Sequence, residues 1–378
     1  MTTTNTNQTP LAPNVSVAEA TALSKVAFGA GRMFHITGQG GGGKTSIFTT
    51  VIAEANGISP ANVRVVNLSG MGPQELLGYG IPDSESRDLW FSCPEIWPTQ
   101  ARVGSDKVLL VLDEFSEWDP AARSLCRSLF QPVAGDAPRI GTHVLGSNVM
   151  IGLTSNRRGD GTRSAVIEAP IVERCMTVTL QPKLDEFLTW AVGQGVHTTP
   201  VYAFLHFTQG NGGQDHFNPK VPVPWNGAPH PCPRAWEATM RATLNQDLLD
   251  NPVLLGLALQ GFVGQAAGLA CQGFCQLVGN IVATVEGIKA GTETMPLDPS
   301  NQYAALYAGI RMVRREIADD PEAGVAAGKA DWLANKMILS NNVGGELRTW
   351  AYTTATSNEI PLQQHANRAA MQGIGATQ

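Results

Sequence analysis

Five short apolar runs recur along the first half of the chain, at 33–37, 63–68, 108–112, 149–153 and 176–180. Each is too short for a core helix and is bounded by polar or turn-forming residues, so each reads as a strand. The run at 108–112 is apolar throughout, as a strand covered on both faces must be. Between the runs the spacing turns helical. Residues 16–32 form one such segment, with Ser16 placed to cap it and Glu19 three residues on. Residues 44–56 form a second, and Asp119-Pro120 opens a third with a capping aspartate and a first-turn proline. Strands alternating with helices predict a parallel five-stranded sheet with helices on both faces.

The pattern changes after residue 182. Residues 183–290 read as helices, interrupted at 209–233 by a segment rich in Pro, Gly and Asn. That segment is long for a loop in a compact domain, which makes it functional or mobile. Residues 291–378 read as a further helical part, with helices over 301–319 and 328–339 and a polar, frayed end. From 251 to 285 there is no charged residue, a length that could cross a bilayer. Gln265, Gln272, Gln276 and Asn280 fall within an arc of about 80° on a helical projection, however, and a polar stripe of that kind predicts a helix of a soluble domain and no membrane span.

Composition narrows the function classes. Lys+Arg 26 against Asp+Glu 32 gives a net charge of −6, which argues against a large nucleic-acid footprint. The six cysteines form no CxxC pair, so neither a zinc ribbon nor a redox dithiol is expected. Cys271 and Cys275 share a helix face and read as small buried apolar residues. The chain reads as reduced and cytoplasmic. The first fourteen residues hold no Lys or Arg and no apolar core, so residues 1–15 read as a disordered leader rather than a signal peptide.

One motif carries chemistry. Gly38-Gln39-Gly40-Gly41-Gly42-Gly43-Lys44-Thr45 fits GxxxxGK[ST] and lies between a predicted strand and a predicted helix. Glycines let the backbone curl until several N–H groups face phosphate oxygens, and the helix N-terminus adds its positive end. Gly38, Gly40, Gly41, Gly42, Gly43 and Ser46 would line the cradle. Lys44 would reach the β- and γ-phosphates, and the Thr45 hydroxyl would ligate Mg²⁺. Asp113-Glu114 ends the run at 108–112, where side chains of a parallel sheet meet the ligand crevice. Asp113 would hold Mg²⁺ through a water, and Glu114 would act as general base.

In motif order and strand pattern the sequence resembles an AAA+ ATPase, and more narrowly the MoxR-like and dynein-related group that includes phage relatives and the cobalt-chelatase ATPase subunit. Leu76-Leu77-Gly78-Tyr79-Gly80 resembles the segment that opens that group's helix-2 insertion. Asp119-Pro120 with Leu125, Leu129 and Phe130 resembles its helix after the acidic strand end. Residues 135–149 resemble the hairpin before its fourth strand. The resemblance spans roughly 30–290; residues 291–378 match no family pattern.

By position, the resemblance implies that Thr154-Ser155-Asn156 is sensor 1, with Asn156 orienting water between Glu114 and the γ-phosphate. Arg174 in Val172-Glu173-Arg174-Cys175 is the implied arginine finger, acting in a neighbouring subunit, with Arg157, Arg158 and Arg163 as rivals. Arg234 in Pro233-Arg234-Ala235-Trp236 is the implied sensor 2. His35 reads as a hydrogen-bonded core histidine. Trp90 and Trp97 read as core, with contact to a substrate in a ring pore as the other option.

The chain therefore divides into a leader (1–15), an AAA+ α/β nucleotide-binding domain (16–182), an all-α lid (183–290) and a helical C-terminal extension (291–378). The implied function is Mg²⁺-dependent ATP hydrolysis in a homo-oligomeric ring, most simply a hexamer, that remodels or assembles a partner protein. A partner with a von Willebrand A-type domain is the usual implication, and a phage origin, with the host cytoplasm as location, fits the resemblance. Two alternatives are a nucleic-acid motor of McrB or helicase type, disfavoured by the charge, and an ATP-binding structural assembly protein with little turnover, disfavoured by Glu114 and Asn156.

Overall fold

The computed structural model describes residues 12–357, 360 and 362, apart from 68, 70, 71, 87, 131–136, 158–163, 210–215, 220–226 and 320–329. Leu68, Arg158, Arg163 and about half of the segment at 209–233 thus lie outside the described residues, as do residues 1–11 of the predicted leader. In its described residues the chain folds as two compact units, the first up to Lys183 together with Gly227 and the second from Leu184 onward without it.

The first unit carries ten strands among its described residues: β1 (Asn14–Val15), β2 (Met33–Gly38), β3 (Val63–Asn67), β4 (Gly80–Pro82), β5 (Leu89–Phe91), β6 (Val108–Asp113), β7 (Arg139–Ile140), β8 (His143–Val144), β9 (Val149–Asn156) and β10 (Cys175–Leu180). Six form one sheet in the order β1-β10-β2-β9-β6-β3, and every pairing in it is parallel. The five predicted strands are β2, β3, β6, β9 and β10. The sheet has a sixth because Asn14 and Val15, expected in the disordered leader, pair with Thr179 and Leu180. Two residues show no periodicity; the open edge of β10 supplies the hydrogen bonds, and Val15 is buried.

The apolar run in β6 is explained by two cores. Leu109 and Val111 pack on one face of the sheet with Phe34, Ile36 and Phe48. Leu110 and Leu112 pack on the other with Leu153, Phe115 and Trp118. Side chains alternate across a strand, so a strand with a core on each side must be apolar at every position. The helix Val17–Gly29 starts as predicted. Ser16 Oγ accepts from Glu19 N–H at 3.2 Å, and Glu19 accepts from Ser16 N–H at 2.8 Å. It ends before residue 32 because the chain turns through Gly31 at φ 66° to enter β2.

The expected hairpin before the fourth strand is the β7–β8 ladder; Gly135 and Asp136 lie outside the described residues. The segment after Leu76-Leu77-Gly78 forms the β4–β5 ladder. Trp97 is core, its Nε1–H donating to the Leu76 carbonyl at 2.7 Å. Trp90 is not core. It stands 53% exposed on β5, beside exposed Tyr79 and Leu89, because a two-stranded ladder buries little of either face.

In its described residues the second unit is helical. One core runs from Leu184 to Leu362, so the helices after residue 290 pack into the same interior as those before it. Tyr307, in the helix Pro299–Asp319, is buried and donates its O–H to the Thr198 carbonyl at 2.7 Å. The helices Pro252–Val263 and Gln265–Asn280 lie close against each other: a Cβ on Gly268 would stand 2.7 Å from the Gln260 backbone. Gln265, Gln276 and Asn280 face outward, while Cys271 and Phe274 face the core. Among the described residues, Gln265–Ala290 is the one helix long and apolar enough by length and composition to cross a membrane. The six cysteines are free, and burial beside Cys275 raises the Cys271 thiol well above its ordinary value. The fold class is α/β, with a parallel six-stranded sheet, followed by a part that is helical in its described residues.

Candidate nucleotide site

Parallel pairing brings the candidate residues together at one end of the sheet. Gly38, the last residue of β2, pairs with Asn156, the last of β9. Asn67, the last of β3, pairs with Asp113, the last of β6. The phosphate loop leaves β2 at this edge and enters the helix that begins at Lys44. Gly41 and Gly43 adopt φ 74° and 86°, a left-handed backbone that a Cβ strains, and Gly43 stands immediately before the first helical residue.

Lys44 is buried, and its Nζ donates to the carbonyls of Gly38 (3.1 Å) and Gln39 (2.9 Å) and to Asn156 Oδ1 (2.8 Å). The Thr45 hydroxyl donates to Asp113 Oδ1 at 2.6 Å. Thr154 Oγ1 meets the same carboxylate oxygen at 2.6 Å and accepts from the Glu114 N–H at 2.9 Å. The Asp113 carbonyl accepts from Trp118 Nε1 at 2.8 Å. Ser46 is exposed one residue on, its carbonyl accepting from the Thr49 and Thr50 hydroxyls at 3.1 and 2.7 Å.

Glu114 has φ 52°, the one positive value on a non-glycine residue among those described. Its carboxylate accepts from Asn67 Nδ2 at 3.1 Å and from the Ser69 hydroxyl at 3.4 Å. Asn156 Nδ2 donates to Glu117 Oε1 at 2.7 Å. Beneath the site His35 is buried, its Nε2 2.9 Å from Ser155 Oγ and its Nδ1 3.3 Å from Thr177 Oγ1. Burial pushes its imidazole down to about 4, so it is neutral at pH 7.

Lys44, Thr45, Asp113, Glu114 and Asn156 are thus brought into one cluster. Arg174 is not in it. It precedes β10, whose first residue pairs with Met33 at the start of β2, about 16 Å down the sheet from Gly38. Half-buried there, Arg174 donates to the Pro170 carbonyl. Arg157 follows β9 and donates to Gln39 Oε1 of the phosphate loop at 3.3 Å. Arg234 is exposed near the start of the helix Pro233–Ala242 in the second unit.

Three contributors have no individual role assigned from sequence. Asn67 ends a predicted strand, so its place beside Asp113 follows once β3 and β6 are paired. Thr154 sits inside the predicted sensor segment. Glu117 lies in the turn Phe115–Glu117 and has no local signature.

The donor set fits a hard divalent cation. Thr45 Oγ1 and Asp113 Oδ1 are adjacent oxygens at the helix start, and Mg²⁺ takes one or two such ligands and completes its shell with phosphate oxygens and water. Among the described residues no group of three or more His, Cys, Asp or Glu could hold a metal unaided.

No protein-family model matches this chain, and no curated protein matches it. Several solved structures are similar to parts or most of it. A closed-state reconstruction of Hsp104 with ATPγS and FITC-casein is 13% identical, TM-score 0.33, over 47% of this chain and 35% of that one. A protein assigned as an ATPase from Cytophaga hutchinsonii is 14% identical, TM-score 0.28, over 44% of this chain and 49% of that one. A RuvB mutant from Thermotoga maritima is 12% identical, TM-score 0.32, over 89% of this chain and 87% of that one. The chain therefore spans half or less of the length of the first two, and at these scores the likenesses carry no argument.

Proposed function

We propose that this chain is a Mg²⁺-dependent ATPase that works as a homo-oligomeric ring, most simply a hexamer, in the cytoplasm. The observation that carries the reading is the convergence of Lys44, Thr45, Asp113, Glu114 and Asn156 at the carboxyl ends of adjacent parallel strands. Backbone N–H groups of the phosphate loop and Lys44 would bind the phosphates. Thr45 and Asp113 would hold Mg²⁺, which when bound neutralises charge on the phosphate oxygens.

Glu114 takes a proton from the attacking water, whose oxygen forms a new bond to the γ-phosphorus. The bond from that phosphorus to the β–γ bridging oxygen breaks, and ADP and phosphate leave. Asn156 orients the water. Arg174, remote from its own chain's cluster, serves the neighbouring subunit, and Arg234 is assigned to sense the γ-phosphate from the lid. Residues 183–290 are assigned to that lid and residues 291–378 to a helical extension. The resemblance to MoxR-like proteins supports remodelling or assembly of a partner protein, with a von Willebrand A-type domain as the partner class.

The test is steady-state ATP hydrolysis per chain against protein concentration, with Mg²⁺ and no partner. The expected result is a specific rate that climbs and then levels off, as sites completed by a neighbour require. Absence of turnover at every concentration, even with candidate partners, would overturn the hydrolytic reading.

A further inference from the structure

The Asn156 amide lies between two charged groups of fixed hydrogen-bonding sense. Its Oδ1 accepts from Lys44 Nζ at 2.8 Å, and its Nδ2 donates to Glu117 Oε1 at 2.7 Å. An ammonium only donates and a carboxylate only accepts, so these neighbours leave the amide a single orientation. Its oxygen faces Lys44 and the phosphate loop; its nitrogen faces away. Glu117 is well placed to enforce this. It is half-buried, and its own N–H donates to the Glu114 carbonyl at 2.8 Å, so the turn that carries it is tied to the proposed general base.

We propose that Glu117 is a positioning residue for hydrolysis: it holds the Asn156 amide oxygen-inward, so that Asn156 presents an acceptor to the attacking water. The proposal rests on the hydrolytic reading above and adds a residue that no motif marks. With the amide oxygen accepting one water proton and Glu114 the other, a water lone pair is directed at the γ-phosphorus. Without Glu117 only Lys44 holds the amide, and that hold weakens once Lys44 engages the phosphates, so the amide, whose two ends have nearly the same shape, can turn over. The flipped form sets Nδ2 against the Lys44 ammonium, donor against donor, and offers the water no acceptor.

The experiment uses the full chain with Glu117→Ala, Glu117→Gln, Asn156→Ala and the Glu117→Ala/Asn156→Ala double variant. Glu117→Ala is expected to lower kcat about 10–100-fold, the size of effect seen for orienting partners behind a metal ligand. Affinity for a fluorescent ATP analogue should stay within about twofold, because the ground-state contacts of the phosphate loop remain. Glu117→Gln keeps an acceptor and should recover most of the rate. The double variant should be no slower than Asn156→Ala alone, as two residues acting through one group require. Independently of activity, one side-chain amide proton of Asn156, identified by its loss in Asn156→Ala, should move upfield in the NMR spectrum of Glu117→Ala.

Wild-type kcat in Glu117→Ala, losses that multiply in the double variant, or an unmoved amide proton overturn the proposal while wild-type turnover leaves the hydrolytic reading standing. A wild-type chain without turnover overturns both. Should Glu117→Ala not fold, Glu117→Gln and Glu117→Lys carry the same comparison. The second offers only donors and should lose the turnover that the first keeps.

Discussion

Glu114 combines a charge with a backbone conformation that L-residues avoid. A left-handed backbone costs a non-glycine residue about 1–2 kcal/mol. Here it is held by Thr154, which accepts the Glu114 N–H, and by the turn that follows. Strain of this kind persists where its surroundings over-determine it, and it aims the carboxylate toward Asn67 at the sheet edge. Replacing Glu114 by Gln should preserve both the conformation and nucleotide affinity and stop turnover; Lys44→Ala should abolish nucleotide binding. Fluorescent-nucleotide titration beside a phosphate-release assay separates the two outcomes.

His35 adds a pH dependence. Its folded-state pKa of about 4 lies below the ordinary 6.5, because burial penalises the charged ring. Between those values the unfolded chain binds a proton that the folded chain refuses. Stability should therefore be complete above about pH 6.5 and fall as the pH is lowered toward 4. His206, also driven to about 4 by burial, acts in the same direction in the second unit. His35→Gln, which still offers Ser155 a partner, should flatten part of the slope in urea unfolding between pH 7 and 5.

At the scale of elements, the helix after the phosphate loop is pressed onto the sheet. It runs from Lys44–Ile47 through a π-helical stretch, Phe48–Ile52, into Ala53–Ala55. Phe48 is buried against β9, where a Cβ on Gly152 would stand 2.5 Å from the ring. The glycine lets the helix seat closely enough to place Thr45 beside Asp113. Gly152→Ala should destabilise the first unit by about 1–3 kcal/mol, the usual cost of overpacking, and weaken nucleotide binding with it. Urea denaturation followed by tryptophan fluorescence measures the first effect. Element-scale reading from sequence worked where a run is apolar on both faces, as in β6, and where a cap is local, as at Ser16. It failed for β1 and for Trp90. Both were settled by what lies beside them in space, an open strand edge in one case and a thin ladder in the other.

For the whole molecule, the separation of Arg174 from its own phosphate loop makes a ring testable. Arg174→Ala should lose hydrolysis while an isolated subunit keeps its nucleotide affinity. Mixing it with Lys44→Ala chains should restore part of the rate, because each variant supplies what the other lacks across the interface. Mixtures that stay inactive at every ratio would place the missing cation elsewhere, with Arg157 the first alternative.

The sequence by itself determined the alternating strands and helices, the phosphate loop and the acidic end of β6, because each depends on residues adjacent in the chain. Strand pairing then made Gly38, Asn67, Asp113 and Asn156 neighbours, and only the tertiary structure decided the contacts among them. Thr154 on Asp113, Asn67 on Glu114 and Glu117 on Asn156 join residues about 40 apart in sequence or more. No spacing encodes such contacts. They exist because parallel strands end at a common edge, where short polar side chains find partners that the interior of the sheet cannot offer.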